Sequence, residues 1–244
     1  MYDNKSMNRD HLDFLKVYQF DSKLRLGLQT DGGYVIADIS GGYDCYISAG
    51  VGREESFTRD FLSKYSMNEF NTFGIDASID EYPSEYTNNI SFIKKNISDT
   101  NTLSTTNLSP LIQKFNDIFL KIDVEGAEYP WIQSLTLEKL SKFKQIVIEC
   151  HGINNDSWGY PYDMKKDCLE KLSKTHYLVH AHGNNSRGTT HYIPNIVELT
   201  YIRKDVLSEK PPLNITPLPI KGLDYPNNKN RPDHAMNIYP FMTC

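Results

Sequence analysis

From residue 44 onward, short apolar segments alternate with segments of helical periodicity, and this alternation restricts the chain to few folds. Strands that alternate with helices build a mainly parallel sheet with helices on both faces. We therefore predict an α/β fold whose strands lie at 45–49, 72–75, 90–93, 118–124, 145–150, 177–182 and 196–202. The last two of these segments are predicted to pair with each other.

The regions that flank this core have different patterns. Residues 11–20 show helical spacing, which predicts an amphipathic helix. Two strand-like segments then flank Thr30-Asp31-Gly32-Gly33, a strong hairpin signal because such turns need positive φ. We therefore predict a helix and hairpin cap over residues 1–43 and an α/β core over residues 44–204.

The end of the chain is rich in proline. Seven of the twelve prolines follow residue 210, which predicts an irregular tail over residues 205–244 that belongs to the same domain.

Composition excludes several classes of function. A net charge of −5 leaves no basic excess for general binding to nucleic acid. No apolar segment approaches the roughly 20 residues of a membrane span, and residues 1–10 lack the apolar core of a signal peptide. The four cysteines show no metal-ligand spacing, and they favour a reduced cytoplasmic protein.

A glycine-rich segment, Ser48-Ala49-Gly50-Val51-Gly52, joins the first core strand to a helix. Such a bend lets a ligand approach the backbone and the free N–H groups of the helix, although a simple tight turn has the same pattern. A dehydrogenase fingerprint needs a third glycine where Glu55 stands. The acidic Glu54 and Glu55 also disfavour a pyrophosphate.

Two acidic residues follow other strands of the core. Asp76 ends the second strand, where a carboxylate can bind both hydroxyls of a ribose or can instead cap the next helix. Asp123 lies at the end of the fourth strand in Leu120-Lys121-Ile122-Asp123-Val124-Glu125-Gly126-Ala127-Glu128. Charges at the end of a buried strand are paired or functional, so a structural salt-bridge cluster is the alternative.

Residues 121–128 resemble the hallmark of the FkbM family of S-adenosylmethionine-dependent methyltransferases, approximately K-I-D-x-E-G-x-E. The loop at 48–52, Asp76, Asn96-Ile97-Ser98-Asp99 and Ile148-Glu149-Cys150-His151 agree with this family in order. The resemblance extends over about residues 24–151. It implies a Rossmann-like class I methyltransferase fold with a mainly parallel seven-stranded sheet.

The resemblance also implies roles for individual residues in binding S-adenosylmethionine. Gly50 and Gly52 would face the methionine part, Asp76 the ribose, and Ile97 and Ser98 the adenine, with Asp123 beside the methyl group. Ser48 is assigned to the same site, although Ser48-Ala49 departs from the family, which commonly has an acid or a different pattern of small residues there. This departure concerns the contact to the methionine amino group.

The family's best-known acceptors are hydroxyls of sugars and natural products, so the resemblance implies sugar O-methylation, with a nucleotide-activated sugar as one form of substrate. His151 and His182 both terminate strands at the ligand edge, and either is a candidate general base. Asp123 and Glu149 would orient the hydroxyl or the base, or accept the proton. Candidate substrate contacts are Tyr34, Asn184, Asn185 and Arg231.

Several alternatives stay open from the sequence. Asp123 and Glu149, with His151 or Asn184, are chemically suitable for a divalent metal, but no dedicated spacing supports one, so no metal is predicted. A nitrogen or carboxyl acceptor, a nucleotide-dependent oxidoreductase and a non-catalytic binding module are the rival functions. A homodimer is compatible with the sequence, which does not determine the oligomeric state.

Overall fold

The computed structural model describes residues 9–243, so residues 1–8 of the predicted cap and Cys244 lie outside the described part of the chain. The strands of the described part are β1 (Lys23–Leu26), β2 (Tyr34–Ala37), β3 (Cys45–Ala49), β4 (Thr72–Ile75), β5 (Ser91–Ile93), β6 (Asn96–Ile97), β7 (Thr105–Thr106), β8 (Ile118–Ile122), β9 (Phe143–His151), β10 (His176–Gly183), β11 (Thr189–Thr190), β12 (Ile193–Pro194) and β13 (Ile196–Arg203). The helices are α1 (Ser56–Lys64), α2 (Ser109–Ile112), α3 (Glu128–Ser134), α4 (Leu137–Leu140) and α5 (Tyr162–Thr175).

Seven of these strands form a mostly parallel sheet in the order β10-β13-β9-β8-β3-β4-β5. Only β13 runs against its two neighbours, β9 and β10. The predicted pairing of the last two core segments is confirmed, and the pair is antiparallel. The chain leaves β3 toward β4 and β5, then returns to β8 on the other side of β3. The strand order therefore switches between β3 and β8, and ligands bind at such a switch at the carboxyl ends of the strands.

The sheet separates two apolar layers, because alternate residues of a strand point to opposite faces. In β3, Cys45, Ile47 and Ala49 face a large core cluster that includes Trp131 of α3, while Tyr46 faces the other layer. The large cluster contains apolar residues of α2, α3, α4 and α5. Helices therefore cover both faces, as predicted, but very unequally.

The other face is covered by α1 together with the β1–β2 hairpin. Phe57 and Phe61 of α1 pack with Leu26 and Ile36 of the hairpin. The hairpin is anchored to the sheet by Gln145, whose side chain bonds both the N–H and the carbonyl of Ala37. The predicted hairpin is confirmed as an antiparallel pair, and it occupies much of a sheet face that we expected helices to cover.

The N-terminal segment differs from the predicted α-helix over residues 11–20. A 3₁₀ helix ends at Leu15, and the backbone N–H groups of Val17, Tyr18 and Gln19 then donate to Pro240, Leu178 and Pro212. Tertiary hydrogen bonds thus replace helical ones in the second half of the segment.

Beyond the short 3₁₀ helix Lys204–Val206, residues 207–243 contain no helix and no strand longer than an isolated bridge. This segment is nonetheless anchored, since Leu218, Met236 and Phe241 are buried in the large cluster. Among residues 9–243, no helix has the length and hydropathy of a membrane span.

Candidate functional site

The glycine bend after β3 lies directly against the end of β8. Gly50 has φ of +80°, and a Cβ at this position would lie 1.7 Å from the carbonyl oxygen of Asp123. The Asp123 N–H donates to the Ala49 carbonyl at 2.9 Å. The bend and the Asp123 loop are thereby held at the switch in strand order, and only glycine fits at position 50.

Asp76, at the end of β4, binds the same bend through its carboxylate. One oxygen accepts the Gly52 N–H at 2.9 Å, and the other accepts the N–H and hydroxyl of Ser78 at 2.6 and 2.7 Å. Burial alone raises the pKa of Asp76, but these hydrogen bonds and one from the Val51 N–H bring the pKa below its usual value. Asp76 is therefore a charged hydrogen-bond acceptor at the wall between the glycine bend and β4.

A cavity of about 220 Å³ opens between these elements. Of the residues predicted to bind a cofactor, Gly50, Asp76, Ile97 and Asp123 line it together. Ile97 belongs to β6, which pairs with β7 in a small parallel ladder that the sequence reasoning did not predict. The cavity wall also carries Glu125 and Lys95, and the Lys95 ammonium donates to the Thr102 carbonyl.

Three other predicted cofactor contacts do not line this cavity. Gly52 borders an adjacent cavity of about 360 Å³. The Ser98 hydroxyl donates to Asp99 on the surface. Ser48 is buried, and its hydroxyl donates to Glu55 at 3.0 Å, so its side chain points away from the cavity of Asp76 and Asp123.

Glu55 is a buried acid that the sequence reasoning treated only as an obstacle to phosphate. Its side chain is 1% exposed and accepts hydrogen bonds from Ser48, Thr58 and Tyr82. Burial raises the pKa of Glu55, although the nearby Lys121 ammonium opposes that shift. An acidic group thus lies beside Ser48, at 3.0 Å from its hydroxyl.

On the other side of Asp123, the hairpin supplies a tyrosine. The Tyr34 hydroxyl lies 3.1 Å from an oxygen of Asp123 and 3.4 Å from one of Glu149. Asn184 donates to the other Glu149 oxygen at 2.7 Å. Burial and the charges of Asp123 and Glu198 raise the pKa of Glu149 well above its usual value. A protonated Glu149 is a hydrogen-bond donor and does not act as a base.

His151 ends β9 beside Asp123, with Nε2 of the imidazole 3.9 Å from an Asp123 oxygen. Its Nδ1 lies 3.2 Å from a Glu128 oxygen that also accepts the His151 backbone N–H at 2.8 Å. Burial lowers the pKa of His151, but Glu128, Asp123 and Glu125 outweigh it and raise the pKa overall. The ring packs against Trp158 with centroids 4.6 Å apart.

His182 belongs to a second polar cluster, which adjoins this group through Glu198, the neighbour of Glu149 across β13 and β9. Its Nδ1 is 3.0 Å from Glu198 and its Nε2 is 3.0 Å from Asp233 of the tail. Burial lowers the pKa of His182, but the two carboxylates outweigh it and raise the pKa to about 10. A buried imidazolium with both nitrogens engaged has no lone pair with which to accept a proton.

The remaining predicted substrate contacts bind other parts of the protein. The Asn185 amide donates to the carbonyls of Asn228, Arg231 and Pro232 in the tail. The exposed Arg231 donates to the Ser186 carbonyl at 3.0 Å. These two side chains attach the tail to the end of β10 and do not extend into the cavity.

The structure therefore brings Tyr34, Asp123, Glu149, His151 and Asn184 together next to the cavity. The side chains of His182, Asn185 and Arg231 instead bind Glu198, the tail and the segment after β10. The sequence reasoning gave no role to Lys121, Glu125 or Glu128, although all three belong to the motif at 121–128. Lys121 donates to the Gly50 carbonyl at 2.8 Å, and Glu128 positions His151.

Comparison with known protein families gives one match. The family model described as "Methyltransferase FkbM domain" matches residues 40–185, more than half of the chain. No curated protein matches the chain.

Proposed function

Because the chain belongs to the FkbM family of methyltransferases, we propose that it transfers a methyl group from S-adenosylmethionine to a hydroxyl of a sugar. A nucleotide-activated sugar is one form of this substrate. One observation carries the proposal: Gly50, Asp76, Ile97 and Asp123 line a single cavity where the strand order switches. The order of the seven strands, with β13 alone reversed, supports a Rossmann-like class I assignment.

The cavity residues fit this cofactor in shape and charge. Gly52 and Ser78 hold the charged Asp76 carboxylate at the cavity wall, and a carboxylate at this strand end is the usual acceptor for ribose hydroxyls. The positive φ of Gly50 brings backbone close to Asp123, so a ligand can lie against the bend without a side chain between. Three acids, Asp76, Asp123 and Glu125, border the cavity, and they favour a cationic sulfonium over a pyrophosphate.

When bound, S-adenosylmethionine supplies an electrophilic methyl group on a positively charged sulfur. The residues of the protein contribute mainly by holding the acceptor oxygen in line with that group. Asp123 lies between the cavity and the polar group of Tyr34, Glu149 and Asn184, so we assign the acceptor to this side of Asp123. Trp158, half-buried beside His151, offers an apolar plane for one face of a sugar ring.

A sugar hydroxyl is a poor nucleophile until its proton leaves, and a positioned group that promotes this loss contributes about 10²–10⁴-fold. Of the two histidines considered from the sequence, we retain His151, because its Nε2 faces Asp123. We do not retain His182, because Glu198 and Asp233 engage both of its nitrogens. The three buried free cysteines support a reducing, cytoplasmic location.

Calorimetry with S-adenosylhomocysteine tests the cofactor assignment. We expect binding of S-adenosylhomocysteine and none of NAD, and a loss of about tenfold to a hundredfold in affinity for Asp76→Ala, since it removes charged hydrogen bonds to the ribose. Ser78→Ala is the matched control, because it removes one donor to Asp76 but keeps the carboxylate. An Asp76→Ala protein that binds as well as Ser78→Ala contradicts the assignment.

Mass spectrometry tests the acceptor. Incubation with S-adenosylmethionine and a panel of sugars and nucleotide-sugars should give a product heavier by one methylene group. Binding of the cofactor product without methylation of any sugar hydroxyl would exclude the sugar acceptor, and methylation of an amine or a carboxylate would replace it.

A further inference from the structure

The residues beside the cofactor cavity include three groups whose lone pairs face one another. One oxygen each of Asp123 and Glu125 and one nitrogen of His151 all lie within 4.8 Å of one another. Nε2 of His151 is 3.4 Å from the Glu125 oxygen and 3.9 Å from the Asp123 oxygen. Because carboxylates accept hydrogen bonds and do not donate them, this arrangement needs a cation or a proton between the groups.

Glu128 determines which nitrogen of His151 is available. One Glu128 oxygen accepts from the backbone N–H of His151 and lies 3.2 Å from its Nδ1. The other oxygen accepts the Gly126 N–H at 2.8 Å. Glu128 is fully buried, so it holds Nδ1 as the donor, and in the neutral ring the lone pair lies on Nε2.

The His151 side chain is itself 3% exposed, and its Nε2 has no hydrogen-bond partner among residues 9–243. A buried imidazole that donates one N–H to a carboxylate and directs the other nitrogen at acidic groups has the hydrogen bonding that is common for a metal-bound histidine. This observation is independent of the clustering of the acids, and it points into the same space.

From these contacts we propose that Asp123, Glu125 and His151 bind a divalent cation. Two carboxylates and one neutral imidazole give a net charge of −2, which matches a divalent ion. The mixture of hard oxygen and imidazole ligands suits Mn²⁺ better than Ca²⁺. Three protein ligands leave coordination positions open, as in metal sites that act on a substrate.

The role of this cation rests on the proposed function. A cation held by Asp123, Glu125 and His151 would border the side of Asp123 to which the acceptor is assigned. It would lower the pKa of an acceptor hydroxyl bound there, whose proton would leave to solvent. The acceptor oxygen then forms a bond to the methyl carbon while the sulfur–carbon bond breaks, which yields an ether and S-adenosylhomocysteine. His151 thus promotes the loss of the proton as a ligand of the cation.

Electron paramagnetic resonance with Mn²⁺ tests the site without any activity. The full chain, freed of metal by chelation and titrated with Mn²⁺, should remove one equivalent of free Mn²⁺ from the spectrum. Glu125→Gln should weaken Mn²⁺ binding at least tenfold, and because Glu125 is 72% exposed, this change leaves the fold intact. Glu138→Gln, at an exposed acid in α4, is the matched control and should bind Mn²⁺ normally.

Two results overturn the proposal: no uptake of Mn²⁺ by the wild-type protein, or equal uptake by wild type and Glu125→Gln. In either case a proton on His151 occupies the space between the carboxylates. Binding of S-adenosylhomocysteine, measured on the same chelated protein, separates this failure from a failure of the proposed function. Methylation that survives exhaustive chelation excludes the cation and leaves the methyltransferase assignment standing.

Discussion

The carbonyl oxygen of Asp123 lies so close to the α-carbon of Gly50 that a Cβ there would be 1.7 Å from it. Two segments of the chain, more than seventy residues apart, are thereby packed backbone against backbone. Lys121 reinforces the contact, because its ammonium donates to the Gly50 carbonyl at 2.8 Å. The cavity of Asp76 and Asp123 opens where these segments meet.

Gly50→Ala should therefore separate the two segments. A Cβ cannot coexist with the Asp123 carbonyl, and φ of +80° adds strain for any other residue. We expect a loss of more than about 3 kcal/mol in the free energy of unfolding and no measurable affinity for S-adenosylhomocysteine. Gly52→Ala is the control for positive φ alone, because its φ is +59° and no atom lies within 4 Å of the added Cβ. Its expected loss is about 1 kcal/mol, and equal losses in the two variants would contradict this explanation.

The strands of the sheet could be predicted well from the sequence, because their apolar segments are clearly bounded by turn and helix signals. The segments at 45–49 and 72–75 match β3 and β4 to the residue. The start of α2 is predicted less well. Ser109-Pro110 predicts a helix with Ser109 as its cap, but Ser109 is the first residue of the helix, and Leu108, with φ of 64°, precedes it. In that conformation the backbone N–H groups of Leu108 and Ser109 donate to the side chains of Thr106 and Asn107. The rules for helix starts do not take such contacts into account.

The candidate site was only partly predictable for a different reason. The local sequence identifies Asp76 and Asp123 as strand ends. Because the carboxyl ends of parallel strands lie at the same edge of a sheet, the predicted topology places the two residues near each other. The partners of a polar side chain depend on segments far away in the chain. His151 and His182 both lie at strand ends. Only the structure shows that Asp233, 51 residues after His182, hydrogen-bonds to the His182 ring.

Glu128→Gln should reveal how strongly the Glu128 carboxylate positions His151. Both carboxylate oxygens accept hydrogen bonds, from His151 and from the Gly126 N–H. An amide NH₂ at either position faces a donor, so we expect a loss of about 2–3 kcal/mol in the free energy of unfolding, measured in urea. The nitrogen-15 spectrum of His151 should lose its single tautomer. Unchanged stability and an unchanged tautomer would show that Glu128 does not orient the ring.

The cluster of His182 predicts a pH dependence of stability. The pKa of His182 is raised to about 10 in the folded protein from roughly 6.5 in the unfolded chain. The folded state therefore binds the extra proton between these values, so the stabilisation is full below about pH 6.5 and is lost as pH rises toward 10. One proton accounts for at most about 1.4 kcal/mol per pH unit.

Urea unfolding of wild type and His182→Gln across pH 6–10 measures this contribution as a difference, which removes the effect of other groups such as Lys23. The variant should have a lower free energy of unfolding than the wild type near pH 6, and this difference should disappear as pH approaches 10. His191→Gln, at an exposed histidine, should follow the wild type throughout. A gap that stays constant with pH would mean that His182 is neutral in the folded protein.

Asn185→Asp should loosen the tail without touching the cavity. The Asn185 amide donates to three tail carbonyls and its oxygen accepts the Asn228 N–H at 2.7 Å. A carboxylate leaves those carbonyls without a donor, so local opening of residues 226–234 should become easier by about 2 kcal/mol. Hydrogen exchange followed by mass spectrometry should show faster exchange in this segment and unchanged exchange in β3 and β8. Asn230→Asp, an exposed residue of the same segment, should exchange like the wild type, and if both variants exchange alike, Asn185 does not hold the tail.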